Sequence, residues 1–231
     1  MTRATAAALL ALLAAPAAPG DVPAAVIVLE APPGTPGSDP TAAPPRFVLL
    51  KDGQVFVGGT SRVETGRLEK GEAQALRRRA EQVRRLRGLS SPVALGGDAS
   101  RTLRLRLLED DPLEVLANGD PEVAPAALSP LATLLLDLLR FDHPSLRPYV
   151  PASYAMAVRE ARVAGGCRRW NFAFPVAQAL GSTRVVSATE ALGWPTGGIA
   201  SSVCLDDAGP STRAGRRYVV TLRPLLPGER P

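Results

Sequence analysis

The 231-residue chain is short of the side chains on which most chemistry depends: one histidine, two cysteines, two methionines, two tryptophans, three tyrosines and five phenylalanines. A single histidine, His143, excludes any multi-histidine metal site and leaves one imidazole for a nucleophilic triad. No Gly-x-Ser-x-Gly elbow accompanies it. His143 follows a helical pattern in Phe141-Asp142-His143-Pro144, so the expected role is structural, a group near a helix C-terminus, with catalysis as the alternative. Lysine is nearly missing as well, since Lys51 and Lys70 are the only two. The remaining cations are arginines, and beside abundant Ala, Pro and Gly they read as base composition rather than selection for phosphate. The net charge of +5 is mild for this length. No aromatic falls between Val57 and Arg140, which denies the arginine-rich segment a base-stacking platform and argues against a nucleic-acid partner.

Long hydrophobic runs are also lacking. The longest, Ala4 to Ala15, holds Leu9, Leu10, Leu12 and Leu13 behind Arg3, and falls well short of the ~20 residues that span a bilayer. A positive charge, a short apolar run and Ala15-Pro16-Ala17 form the plan of a secretory signal cleaved after Ala17. The expected organisation is a signal over 1–17, a Pro/Ala/Gly-rich tether over 18–46, a β-β-α-β-β-α region over 47–150, and a strand-rich region over 151–231 packed on it. Export places the chain in the periplasm or outside the cell, with no transmembrane segment. In that compartment Cys167 and Cys204, an even count, are expected to pair, closing a loop worth about 4 kcal/mol in the chain-entropy model. Two unrelated buried thiols are the alternative.

The tether contains one β-branched run, Val26-Ile27-Val28-Leu29, suited to a strand at a sheet edge. Phe47-Val48-Leu49-Leu50 and Gln54-Val55-Phe56-Val57 flank Lys51-Asp52-Gly53, the pattern of a hairpin. A further strand over Val63 to Leu68 precedes a helix from about Glu72 to Leu86, with Ala73, Leu76, Ala80, Val83 and Leu86 on one face and Gly88 ending it. The plan recurs. Leu103, Leu105 and Leu107 alternate with Arg104 and Arg106, the turn Glu109-Asp110-Asp111-Pro112 leads to Leu113 and Val115, and Ser129-Pro130 starts a helix with Leu131, Leu134, Leu135 and Leu138 buried. Strands are expected at Tyr154–Val158, Thr183–Val186, Ser201–Leu205 and Tyr218–Arg223, with a helical turn at Ala188–Leu192. The fold class is α+β.

The candidate sites each have a plain reading. The acids Glu109-Asp110-Asp111 and Asp206-Asp207 suit turns, although facing carboxylates would serve a hydrolase. Asn118-Gly119-Asp120 offers oxygen ligands but fits no EF-hand spacing, and no metal or cofactor is expected. The arginines at 77, 78, 79, 84, 85 and 87 lie opposite and flanking the apolar stripe of their helix, with Glu81 placed to pair with Arg85; the expectation is a solvated face, the alternative an anionic-surface site through Arg78 and Arg85. Trp170, Phe172 and Phe174 alternate, and Trp194 sits in a Gly/Pro turn. They read as a small core beside the disulfide, with Trp170 and Trp194 as binding residues in the alternative.

Phe47-Val48-Leu49-Leu50-Lys51-Asp52-Gly53-Gln54-Val55, Arg147-Pro148-Tyr149 and the closing Leu222-Arg223-Pro224-Leu225-Leu226-Pro227-Gly228-Glu229 resemble uncharacterised exported proteins and lipoproteins of high-GC bacteria. The resemblance spans residues 46–229 and implies an exported α+β protein with no known activity, so it transfers no catalytic residue. This chain departs from the lipoproteins in lacking a lipid-acceptor cysteine, its first cysteine being Cys167. The leading expectation is a non-enzymatic binding protein that meets an envelope protein or a glycan through a sheet edge or the surface near Trp194. An exported hydrolase using carboxylates or His143 is the alternative, distinguished by His143 facing an acid and a hydroxyl.

Overall fold

A computed structural model describes residues 23–31, 46–58, 62–87, 89, 91–160, 168–196, 200–204 and 217–229. The signal over 1–17, most of the tether, Gly88, Cys167, the Cys204 side chain and Asp206-Asp207 lie outside the described residues.

The architecture is mixed α+β with one eight-stranded and one four-stranded sheet. The strands of the first are β1 (Ala25–Glu30), β2 (Phe47–Leu50), β3 (Gln54–Gly58), β4 (Val63–Arg67), β5 (Val93–Gly96), β6 (Thr102–Leu107), β7 (Leu113–Gly119) and β8 (Arg147–Pro148). Their order is β5-β7-β6-β1-β2-β3-β4-β8. β1 is therefore a central strand, antiparallel to both β2 and β6, and not an edge strand in a tether. The reason lies in its pattern. Val26, Ile27, Val28 and Leu29 are all buried, and an apolar run without alternation needs cover on both faces, which β1 receives from the helix-side core and from the cluster that includes Leu226.

The β2–β3 hairpin turns at Gly53, whose φ of 86° is the left-handed conformation that glycine adopts freely. Asp52 Oδ1 accepts the Gln54 N–H across that turn. The second hairpin, β6–β7, buries Leu103, Leu105 and Leu107 on one face while Arg104 and Arg106 lie on the other. Neither hairpin is a bare ββ unit, because β4 adds antiparallel to β3 and β5 adds parallel to β7. The two halves consequently differ in topology, and a repeated β-β-α unit is not clearly seen.

Helix α1 (Lys70–Arg84) buries Ala73, Leu76, Ala80 and Val83, the face its spacing predicts, and ends three residues short of Arg87 with Arg85 at its C-cap. Helix α2 (Ser129–Leu139) buries Leu131, Leu134, Leu135 and Leu138. Ser129 is the first helical residue and not the cap: a 3-10 turn, Ala126–Leu128, runs directly into the helix and leaves no separate N-cap side chain. Both helices pack on one face of the large sheet, against Ile27, Leu29, Phe47, Leu49, Val55 and Leu105 among others.

The four-stranded sheet contains β9 (Ser153–Glu160), β10 (Thr183–Ser187), β11 (Ala200–Cys204) and β12 (Arg217–Pro224), all antiparallel in the order β10-β9-β12-β11. Met156, Val158, Val186, Val203, Tyr218, Val220 and Leu222 form its core face, closed by Phe172, Val176, Ala191 and Trp194. No helix among the described residues is long and apolar enough to cross a membrane.

Candidate functional site

The one imidazole faces both an acid and a hydroxyl. His143 Nδ1 lies 2.7 Å from Ser145 Oγ, and Nε2 lies 3.3 Å from Glu72 Oε1. Three elements converge to make this group: the segment after α2, the first turn of α1, and the end of β4. His143 thus meets the N-terminal turn of α1 through Glu72. Glu72 also accepts the Glu69 N–H at 2.8 Å. That bond first, and the His143 side chain second, hold the Glu72 carboxyl below the usual carboxylate range.

The Ser145 N–H donates to Nδ1 at 3.2 Å, so the neutral ring carries its proton on Nε2, directed at Glu72. The chain Glu72–His143–Ser145 has the order of an acid, a base and a nucleophile. The hydroxyl, however, is occupied. Ser145 Oγ accepts the Arg67 N–H and lies 3.2 Å from the Arg67 carbonyl, to which it can donate instead of to Nδ1. It also fills the space beside Gly66, where a Cβ would come within 2.5 Å of it. Ser145 serves there as a pin on the last two residues of β4, and Gly66 is small because Ser145 sits over it. Neither Glu72 nor Ser145 stood out in the sequence; the available signal was the short His-Pro-Ser turn, since Glu72 is 71 positions from His143.

Tyr149 and the closing segment Leu222–Glu229 also meet. Tyr149 follows β8, stacks edge-on against Phe56 with centroids 5.2 Å apart, and donates its hydroxyl to the Leu225 carbonyl at 3.0 Å. Burial first, and the Glu229 charge second, push the Tyr149 phenol up, which keeps it a donor. Arg223, only 6 % exposed, pairs with Glu229, whose other carboxylate oxygen accepts the Leu226 N–H. This closes the turn at Gly228 and seats Leu226 among Val28, Val48, Leu50, Phe56 and Val63, on the face of the large sheet away from the helices. The closing motif is thus a clasp between the two sheets.

The aromatic quartet is largely inward. Trp194 is 7 % exposed and donates its indole N–H to Asn171 Oδ1, while the Trp170 N–H goes to the Phe174 carbonyl, both at 2.6 Å. Arg184 lies over the Phe174 ring, 4.0 Å from its centroid.

The arginines of α1 divide into two sets. Arg77 donates to the Lys51 carbonyl and pairs with Glu109, and Arg84 donates to the Glu109 carbonyl, so the helix grips the turns of both hairpins. Arg79 pairs with Asp137 of α2. Arg85 is exposed and pairs with Glu81 at 3.5 Å, and Arg78 is exposed. A surface-attachment role would rest on this second set with Arg87. Glu109, Asp120 and Asn118 likewise have local partners, Asp120 capping a 3-10 turn and Asn118 accepting the Thr102 hydroxyl. Among the described residues no group of three or more His, Cys, Asp or Glu side chains is arranged to hold a metal ion.

Comparison with known proteins gives no match to a family model, a curated protein or a solved structure.

Proposed function

We propose that this chain is an exported, non-enzymatic binding protein, which meets an envelope protein or a glycan through an edge of the four-stranded sheet or the surface beside Trp194. The observation that carries the reading is the position of Ser145 Oγ: the one hydroxyl facing the one imidazole is held by both backbone groups of Arg67 and packed over Gly66. Export rests on Arg3, the apolar run and the Ala15-Pro16-Ala17 site. A Cys167–Cys204 disulfide belongs to this reading. What supports it is the export reading together with an even count of two cysteines. Fractionation and N-terminal sequencing should recover a chain beginning near Ala18 outside the cytoplasm, and thiol titration of unfolded, unreduced protein should find no free cysteine. Cytoplasmic recovery with an intact Met1 sinks the export reading; two free thiols sink the disulfide.

The hydrolase reading keeps one specific observation in its favour, the Glu72–His143–Ser145 chain at 3.3 and 2.7 Å. In it His143 takes the Ser145 proton at Nδ1 while Glu72 orients the Nε2–H. A fluorophosphonate probe separates the two readings. Binding predicts no labelling of the native chain, whereas labelling that disappears in Ser145→Ala and in His143→Ala establishes the hydrolase.

A further inference from the structure

A serine hydroxyl has one hydrogen to give; a neutral imidazole has one nitrogen to accept it, and a charged imidazole has none. Around His143 that difference decides a contact between three elements. With the ring neutral and its proton on Nε2, the Ser145 hydroxyl has two acceptors to choose from, Nδ1 at 2.7 Å and the Arg67 carbonyl at 3.2 Å. With the ring charged, Nδ1 carries a hydrogen of its own and must donate. Ser145 Oγ is the oxygen within its reach, and once Oγ accepts from Nδ1 its own hydrogen is left with the Arg67 carbonyl alone. The Arg67 N–H donates to the same Oγ at 3.2 Å, so one hydroxyl then holds both backbone groups at the end of β4.

We infer that His143 is a proton-operated latch: uptake of a proton fixes the Ser145 hydroxyl on Arg67 and so ties together the first turn of α1, the end of β4 and the segment after α2. The latch goes beyond the binding reading and is independent of it, since it needs only these hydrogen bonds. On the other side of the ring Nε2 faces Glu72 in both states, and that bond becomes an ion pair when the ring is charged. The ring is 20 % exposed, which leaves it open to exchange a proton with water. Phe141 stacks on it with centroids 6.3 Å apart. The charges around it come from every neighbouring element. α1 brings Glu72, its capping-box partner Glu69 and the exposed Lys70. β4 brings Arg67, whose guanidinium is turned to Asp52 at 2.7 Å. The ring's own segment brings Asp142, and Arg147 donates to the Pro144 and Leu146 carbonyls at 2.8 and 2.6 Å. Of these side chains only Glu72 lies within hydrogen-bond reach of the ring. The charged ring gives up one bond, that of the Ser145 N–H, which donates to Nδ1 at 3.2 Å in the neutral state and then loses its acceptor. Because the charged form gains as pH falls, the latch closes on acidification and opens as pH rises through the imidazole titration.

With one histidine in the chain, isotopic labelling of histidine ring nitrogens gives a single imidazole to follow by NMR. The full chain should be titrated between about pH 8 and pH 5, the range in which imidazoles change charge. At the upper end the ring should carry its proton on Nε2. As it takes up the second proton, the Ser145 amide proton should move upfield, having lost its acceptor. Over the same pH range the protection of the Arg67 amide, corrected for the intrinsic pH dependence of exchange, should rise about threefold to tenfold. In Ser145→Ala the ring should still titrate while the Arg67 response disappears. A neutral ring protonated on Nδ1, Arg67 protection that does not follow the ring, or a response that persists in Ser145→Ala overturns the latch.

Discussion

The core under α1 and α2 is almost wholly aliphatic, with Phe47 and Phe141 as its aromatic members. The core of the four-stranded sheet instead turns on Trp170, Phe172, Phe174 and Trp194, whose rings meet one another at centroid separations of 4.9–6.2 Å. The difference follows from what covers each sheet. Two helices present many small increments of apolar surface, so leucines at regular spacing suffice. Among the described residues no α-helix lies over the smaller sheet, only loops and one 3-10 turn, and a few large rings supply the area that periodic side chains supply elsewhere. Rings bring polar handles with them. Each indole N–H needs a partner, and the exposed Asn171 and the Phe174 carbonyl provide them. The aliphatic core is thus held by volume, and the aromatic core by volume together with directed hydrogen bonds.

Truncating the aliphatic core should have the largest effect. Leu134 is fully buried between α2 and the sheet, and Leu134→Ala should lower stability by about 2–5 kcal/mol in urea unfolding. A loss under about 1 kcal/mol would mean that this core collapses around the void. In the aromatic core the informative change removes the handle and keeps most of the ring. Trp194→Phe leaves Asn171 without its donor and should cost about 1–3 kcal/mol, and Trp194→Phe with Asn171→Leu should recover part of that loss. If the double variant is no more stable than the single, the hydrogen bond is not what distinguishes this core.

The join between the two regions is sharpened by Tyr149→Phe, which deletes only the hydroxyl donated to the Leu225 carbonyl. It should cost about 1 kcal/mol and increase hydrogen exchange at the Leu225 and Leu226 amides more than within β6. Equal exchange in both places would show that the clasp does not hold the sheets separately.

The smallest effect concerns pH. The Glu72 carboxyl is held below its ordinary value of 4.5 in the folded chain, so its contribution is present above that value and fades as pH falls through the lower folded one. Thermal unfolding between pH 6 and about pH 3 should therefore be less pH-dependent in Glu72→Gln than in the wild type. Identical slopes would refute the coupling.

The two regions were also unequally legible. α1, α2 and the hairpins of the large sheet follow from spacing, since Ala73, Leu76, Ala80 and Val83, and likewise Leu103, Leu105 and Leu107, repeat at the periods their backbones impose. In the four-stranded sheet the strands were placed, but the Trp170 and Trp194 partners were not: an indole's acceptor is chosen by packing and carries no sequence period. The candidate site was legible only in part. His143 drew attention by being alone, whereas Glu72 and Ser145 are unremarkable until α1 and β4 are brought together.

By itself the sequence determined where chain segments alternate, coil or turn, because those choices depend on neighbours a few positions away. It also determined that no metal site can draw two histidines from this chain, because a composition with one histidine fixes that wherever the chain goes. Only the tertiary structure decided that β1 is central, that Arg77 and Arg84 grip two hairpin turns, that the closing Arg223–Glu229 motif clasps two sheets, and that Ser145 is pinned on Arg67. Each of these is a contact between residues far apart in the chain, and such contacts are settled by which surfaces remain to be covered once the local elements have formed.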